Sequence, residues 1–235
     1  MVGRQPPENG IMSDLSIVIG NKNYSSWSMR PWLALKKTGQ PFREEPIALR
    51  LPDTKRQILA QSGAGKVPVL KHGDIRVWES LAICEYLAET FPAAKLWPAE
   101  RAARAHARAV SSEMHAGFEA LRKNMPMDIS HDRRAESRAH LVRDEIDRIR
   151  HIWAEVRNSW GAKAGDFLYG DFTVADAMFA PVVTRFRTYG VTLDETCARY
   201  MQAVLNWPGF KEWEAAAQAE KQVIEFEIFR QPAAQ

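Results

Sequence analysis

Residues 66–91 constrain the fold more than any other stretch. Lys66-Val67-Pro68-Val69-Leu70 reads as a strand with a proline near its start, and His72-Gly73-Asp74 as a turn. Ile75–Trp78 is the returning strand, so the two form a hairpin. Glu79-Ser80 then opens a helix with apolar positions at Leu81, Ile83, Cys84, Tyr86 and Leu87. Ser80 is its natural N-cap, and Phe91-Pro92 ends it. A proline inside a core strand is normally penalised. It is tolerated where the preceding peptide is cis and the strand turns sharply, so a cis bond is expected between Val67 and Pro68.

Upstream, Leu15–Gly20 (LSIVIG) is a short apolar run that reads as a buried strand. Asn21–Ser26 is a loop. A helix follows over about Ser28–Lys37, with Ser26 or Ser28 as N-cap, Pro31 in the first turn and Gly39 beyond the last. Phe42–Leu49 is a poorer strand, with Pro46 suggesting a sheet edge, and 54–61 a short helix. This order suits a small mixed sheet with a right-handed crossover.

From about Pro98 the character changes. Residues 99–124 and 136–158 are rich in Ala, Arg and Glu and spaced like amphipathic helices. Thr173-x-x-Asp176 is an Asp variant of the capping box before an apolar helix. Residues 196–206 and 209–219 read as two more helices, broken at Asn206-Trp207-Pro208-Gly209. No strand pattern appears after residue 98, which places a domain boundary in Pro92–Pro98. The reading is therefore a polar, disordered leader over 1–14 (with Met12 an alternative start of translation), an α/β domain over 15–91, a helical domain over 99–220 and a tail over 221–235.

Composition bounds the function. The 235 residues are 46% apolar and 26% charged, which excludes wholesale disorder and provides for a sizeable core. A net charge of +3 is too small to argue for nucleic acid or an anionic membrane. Two distant cysteines, with no Cys-x-x-Cys pair and no cluster at metal-ligand spacing, fit a reducing, cytoplasmic location and no metal. No apolar run approaches the ~20 residues that cross a bilayer.

Gly65-Lys66-Val67-Pro68-Val69-Leu70, Trp78-Glu79-Ser80-Leu81-Ala82-Ile83 and Thr173-Val174-Ala175-Asp176 occur in an order and at separations that resemble the cytosolic glutathione transferases. The resemblance covers roughly residues 15–220. It implies an α/β, thioredoxin-like N-terminal domain that binds glutathione, an all-α C-terminal domain, and usually a homodimer. The loop Ser25-Ser26-Trp27-Ser28-Met29-Arg30 resembles the Ser-Ser-Cys-Ser-x-Arg signature of the zeta class, which includes maleylacetoacetate isomerase. Trp27 replaces its cysteine, and Pro31-Trp32 replaces the usual Val-Arg. The latter removes a basic residue that would hold a dicarboxylic substrate.

Under that resemblance the residues take roles. A free thiol has a pKa of about 8.5, so a hydroxyl donor and a helix N-terminus aimed at the sulfur raise its thiolate fraction. Ser25 matches the zeta-class catalytic serine, Ser26 is the close competitor, and Tyr24 is a third candidate. Serines at such a place more commonly only cap a helix. A cis bond at Pro68 would turn the Val67 amide and carbonyl towards the cysteinyl backbone of glutathione, a one-residue strand addition. Glu79 suits the γ-glutamyl ammonium and Ser80 its carboxylate, or the two are a plain helix start. Lys66 contacts the glycyl carboxylate or is merely solvated.

The second substrate is expected between Trp27 and the first C-terminal helix, with Met114, His115, Phe118 and Leu121 as candidate lining, some of them core. Arg122, Arg185 and Arg187 are candidates to attract an acidic substrate, though helix arginines usually face solvent. Asp176 reads as structural and Cys84 as core. A site loop without cysteine argues against thiol-disulfide exchange. The expected function is a serine-type glutathione transferase acting on a small electrophile. A zeta-like cis-trans isomerase and a non-catalytic binding protein are the alternatives.

Overall fold

The computed structural model describes residues 14–161 and 163–230. The leader up to residue 13, with Met12, and the last five residues of the tail lie outside the described residues. The continuous apolar run becomes β1, Leu15–Ile19, buried along its whole length. It is a central strand of a four-stranded sheet ordered β2-β1-β3-β4, where both faces are covered and alternation is not needed. β2 is Arg43–Pro46, parallel to β1, and is reached through α1, Ser26–Thr38. It is shorter than the expected 42–49, because Arg-Glu-Glu-Pro is an exposed edge closed by a proline. α2 is Thr54–Leu59.

β3, Val69–His72, and β4, Ile75–Trp78, form the expected hairpin, with β3 antiparallel to β1. The Val67–Pro68 peptide is cis. α3, Ser80–Thr90, follows at once. Both helices are capped earlier than expected. Ser25, rather than Ser26 or Ser28, caps α1, and Gly39 closes it at φ +71. Glu79, rather than Ser80, is the capping position of α3; it takes φ +76 and makes no side-chain cap bond. Pro31 stands inside α1, beyond its first turn.

The helical part is α4 (Arg101–Ala116), α5 (Glu119–Asn124), α6 (Arg143–Val156), α7 (Val174–Thr188), α8 (Glu195–Asn206) and α9 (Pro208–Gln218). The single helix expected over 99–124 is two, because Phe118 adopts φ +59. The Arg122 guanidinium donates back to the carbonyls of Met114 and Gly117 at the end of α4, while Glu145 accepts from the Ala120 and Leu121 N–H groups that open α5. The helix expected over 136–158 begins only at Arg143, after two short 3-10 turns. Cys84 and Cys197 are free and buried. No helix among the described residues is long and apolar enough to cross a membrane.

α7 is the axis of the molecule. It is buried along nearly its whole length and packs on α1 and α4. The expected capping box is present: Asp176 accepts from the Thr173 N–H at 2.7 Å and the Thr173 hydroxyl at 2.9 Å. A third donor, the Leu168 N–H, reaches it at 3.0 Å.

After α9 the chain crosses back to the N-terminal domain. Glu220 accepts from the Lys22 and Asn23 N–H groups at 2.6 and 3.1 Å. Gln222 donates to the Leu49 carbonyl at 2.7 Å, and Phe226 packs edge-on to Tyr24.

Candidate functional site

The loop before α1, the turn before β3 and the start of α3 converge on one cavity of about 530 Å³. Tyr24, Ser25, Ser26 and Trp27 form one wall, Lys66, Val67 and Pro68 a second, and Glu79 and Ser80 a third. These walls come from three separate segments of the chain, and the sheet brings them together because the C-terminal ends of β1 and β4 and the start of the antiparallel β3 lie at the same end of it.

Each hydroxyl in the loop has a different state. Ser25 Oγ accepts from the Ser28 N–H at 3.3 Å, which caps α1, and donates to Ser28 Oγ at 2.8 Å. Ser28 Oγ is fixed in turn by the Gly20 N–H at 3.0 Å. Ser26 Oγ accepts from Arg185 Nη2 at 3.5 Å. The Tyr24 hydroxyl is buried without a partner among the described residues.

The third wall has the features of a receptor for a zwitterion. Ser80 is 1% exposed, and its hydroxyl has no partner among the described residues. A buried unsatisfied hydroxyl is destabilising by about 1–3 kcal/mol, so it is a place where a ligand's oxygen would complete the structure. Beside it the Glu79 carboxylate is half-exposed, with Oε2 2.9 Å from His115 Nε2. Lys66 is exposed at the rim.

The residues expected to line the second substrate's place separate. Met114, Phe118 and Leu121 do not line the cavity; they are buried in the core, because the apolar face of this region is taken up by the helical packing. His115 is at the site but points to Glu79 and packs edge-on to Trp27, ring centroids 5.3 Å apart. Arg187 pairs with Glu214 at 2.5 Å on α9.

Arg122 and Arg185 are not solvent-facing as helix arginines usually are. Together with Arg30, which sequence reasoning did not single out, they gather behind the serine loop. The Arg30 guanidinium is fully buried and stacks 4.4 Å from the Trp27 ring centroid, with both terminal nitrogens unpartnered. Arg122 lies 5.2 Å from the same ring. Arg185, 4% exposed, donates to the Met125 and Pro181 carbonyls as well as to Ser26. Among the described residues no carboxylate is within ion-pair distance of any of the three. Burial, then the repulsion of Arg122 and Arg185, lowers Arg30 to about 9; burial and Arg122 lower Arg185 to about 10. A smaller cavity, about 240 Å³, lies against Arg50, Arg122, Lys123 and Phe226.

Residues 24–90 match the family model of the glutathione S-transferase N-terminal domain. By this match the chain carries a glutathione S-transferase N-terminal domain. Among its relatives is a probable maleylacetoacetate isomerase of Caenorhabditis elegans, 26% identical over 189 residues, which are 79% of this chain and 86% of that one. The fold is that of the glutathione transferases throughout. A bacterial maleyl pyruvate isomerase of the zeta class superimposes with a TM-score of 0.69 at 23% identity, covering 88% of this chain and all of that one. A Burkholderia glutathione transferase homolog with bound glutathione gives 0.65 at 22% identity, over 89% of this chain and all of that one. In the loop of this chain, Trp27 is the residue on which Arg30, Arg122 and His115 all converge.

Proposed function

We propose that the chain binds glutathione in the 530 Å³ cavity, holds its thiol as the thiolate, and adds it to an electrophilic carbon of an anionic small molecule. The observation that carries the reading is the convergence of the serine loop, the Val67–Pro68 turn and the Glu79–Ser80 helix start on that one space. A tripeptide with a thiol at its centre and a zwitterion at one end matches those three walls in order. The γ-glutamyl carboxylate meets the unpartnered Ser80 hydroxyl and its ammonium meets Glu79. The backbone of Val67 pairs with the cysteinyl residue, and Lys66 at the rim meets the glycyl carboxylate.

The sulfur then lies against the N-terminus of α1. Ser25 is the hydroxyl we assign to it. Its lone pair remains with the Ser28 N–H, while its proton, held by Ser28 Oγ without ligand, turns to the sulfur. The helix dipole adds to the same preference for negative charge.

The three unpaired arginines support an acidic second substrate. They supply the positive charge whose loss the Pro31-Trp32 replacement implied. They also favour a second reading, in which thiolate addition to a conjugated acid is followed by rotation and expulsion of the thiol. The isomerase relatives act in keeping with their names on such acids, and this chain would do the same with no net consumption of glutathione. The chain is incubated with glutathione and maleylacetone, and cis-trans conversion is followed alongside free thiol. Conversion with constant thiol supports the isomerase; thiol loss with adduct formation supports the transferase. Failure of the chain to bind glutathione at millimolar concentration in calorimetry removes both, and leaves a non-catalytic member of the fold.

A further inference from the structure

Glu79 is held from outside its own domain. His115, in the last turn of α4, sets Nε2 2.9 Å from Glu79 Oε2, and among the described residues it is the one side chain bonded to that carboxylate. The geometry fixes the tautomer. His115 Nδ1 is buried without a partner, so a proton there would be an unsatisfied donor. The ring proton therefore sits on Nε2 and is donated to Glu79. The charged groups facing the ring are Glu79 itself and, across Trp27, Arg30 and Arg122. Burial and those two cations hold the imidazolium below its ordinary range, against the opposing pull of Glu79.

We propose that His115 is a positioning residue: a neutral imidazole that aims the Glu79 carboxylate into the cavity without cancelling its charge, so that the free oxygen meets the γ-glutamyl ammonium. The inference rests on the glutathione reading of the cavity and deepens it. Glu79 needs such a support. It stands at φ +76 at the mouth of α3, makes no cap bond, and its side chain is 52% exposed. An unsupported carboxylate there would sample several rotamers and give up part of its contact to ordering entropy. A lysine or arginine at 115 would form an ion pair with Glu79 and compete with the ligand's own ammonium. A neutral N–H donor avoids both losses.

The test compares two ligands on the intact chain: glutathione, and the analogue in which a glutaryl group replaces γ-glutamyl, so that only the ammonium is missing. Affinities are measured by calorimetry for wild type, His115→Ala and His115→Gln. The expected result is that His115→Ala weakens glutathione about tenfold, the scale of one charge-assisted contact, and weakens the glutaryl analogue by no more than about twofold. His115→Gln, whose amide N–H reaches the same place, restores glutathione binding. Equal losses for both ligands in His115→Ala, or no loss for either, overturn the inference while leaving the cavity's assignment intact. A wild-type chain that binds both ligands alike overturns the placing of the ammonium at Glu79, and the role of His115 with it.

Discussion

Ser25 performs two tasks with one oxygen, and they can be separated experimentally. As a cap it accepts the Ser28 N–H; as a donor it has a proton to direct. Ser25→Ala is expected to raise the thiol pKa of bound glutathione by about one unit, since one hydrogen bond to the anion is lost, while affinity changes little. The same variant loses about 1 kcal/mol of stability with the cap. Ultraviolet absorbance of the thiolate against pH reads the first, and thermal unfolding the second. Ser26→Ala should leave the titration where it was; a shift there would transfer the role to Ser26. Glu79→Ala is expected to weaken glutathione binding by about tenfold or more, with the bound thiol's titration unchanged. The individual hydroxyls, Val67-Pro68 and Glu79-Ser80 were legible in the sequence because they lie in short local motifs. Ser28 as partner of Ser25, and His115 as partner of Glu79, were not, because each is a matter of which atoms meet once helices are placed.

At the scale of the element, α7 shows the clearest passage from sequence to energetics. Its capping box was readable because Thr-x-x-Asp is local and the apolar run behind it is long. Asp176 is fully buried and holds three donors. Asp176→Ala strands those donors and is expected to cost about 3 kcal/mol, seen as a lower denaturation midpoint with glutathione affinity per folded molecule unaltered. Burial lifts the Asp176 carboxyl to about 6, against the pull of those donors. Between the ordinary aspartate value and about 6, the folded chain keeps a proton that the unfolded chain has released. This group therefore adds stability as pH falls through that window and withdraws it as pH rises. The stability deficit of Asp176→Asn relative to wild type should thus be larger at about pH 4.5 than at about pH 7. The break between α4 and α5 was not legible. Its apolar spacing runs on across Gly117 and Phe118, and what stops the helix is Arg122 and Glu145 capping it from neighbouring segments.

The whole molecule supplies what no single element holds. Arg30 comes from α1, Arg122 from α5 and Arg185 from α7, and their meeting behind Trp27 depends on how the two domains pack. Sequence offered three arginines as candidates; it could not separate Arg187, paired with Glu214, from the others, and it passed over Arg30. An unpaired buried guanidinium opposes folding. Arg30→Met is accordingly expected to stabilise the ligand-free chain by about 1 kcal/mol while lowering kcat/KM for an acidic electrophile at least about tenfold more than for a neutral one. A destabilised variant, or equal losses on both electrophiles, would argue that Arg30 is a packing residue.

The bonds from Glu220 to Lys22 and Asn23 have a further consequence. The turn that leads into the serines is latched by a carboxylate nearly two hundred positions later. A nascent polypeptide leaving the ribosome therefore completes its sheet long before that latch exists. An excised N-terminal half, however well its strands pair, would lack the clasp that sets the height of its own serine loop.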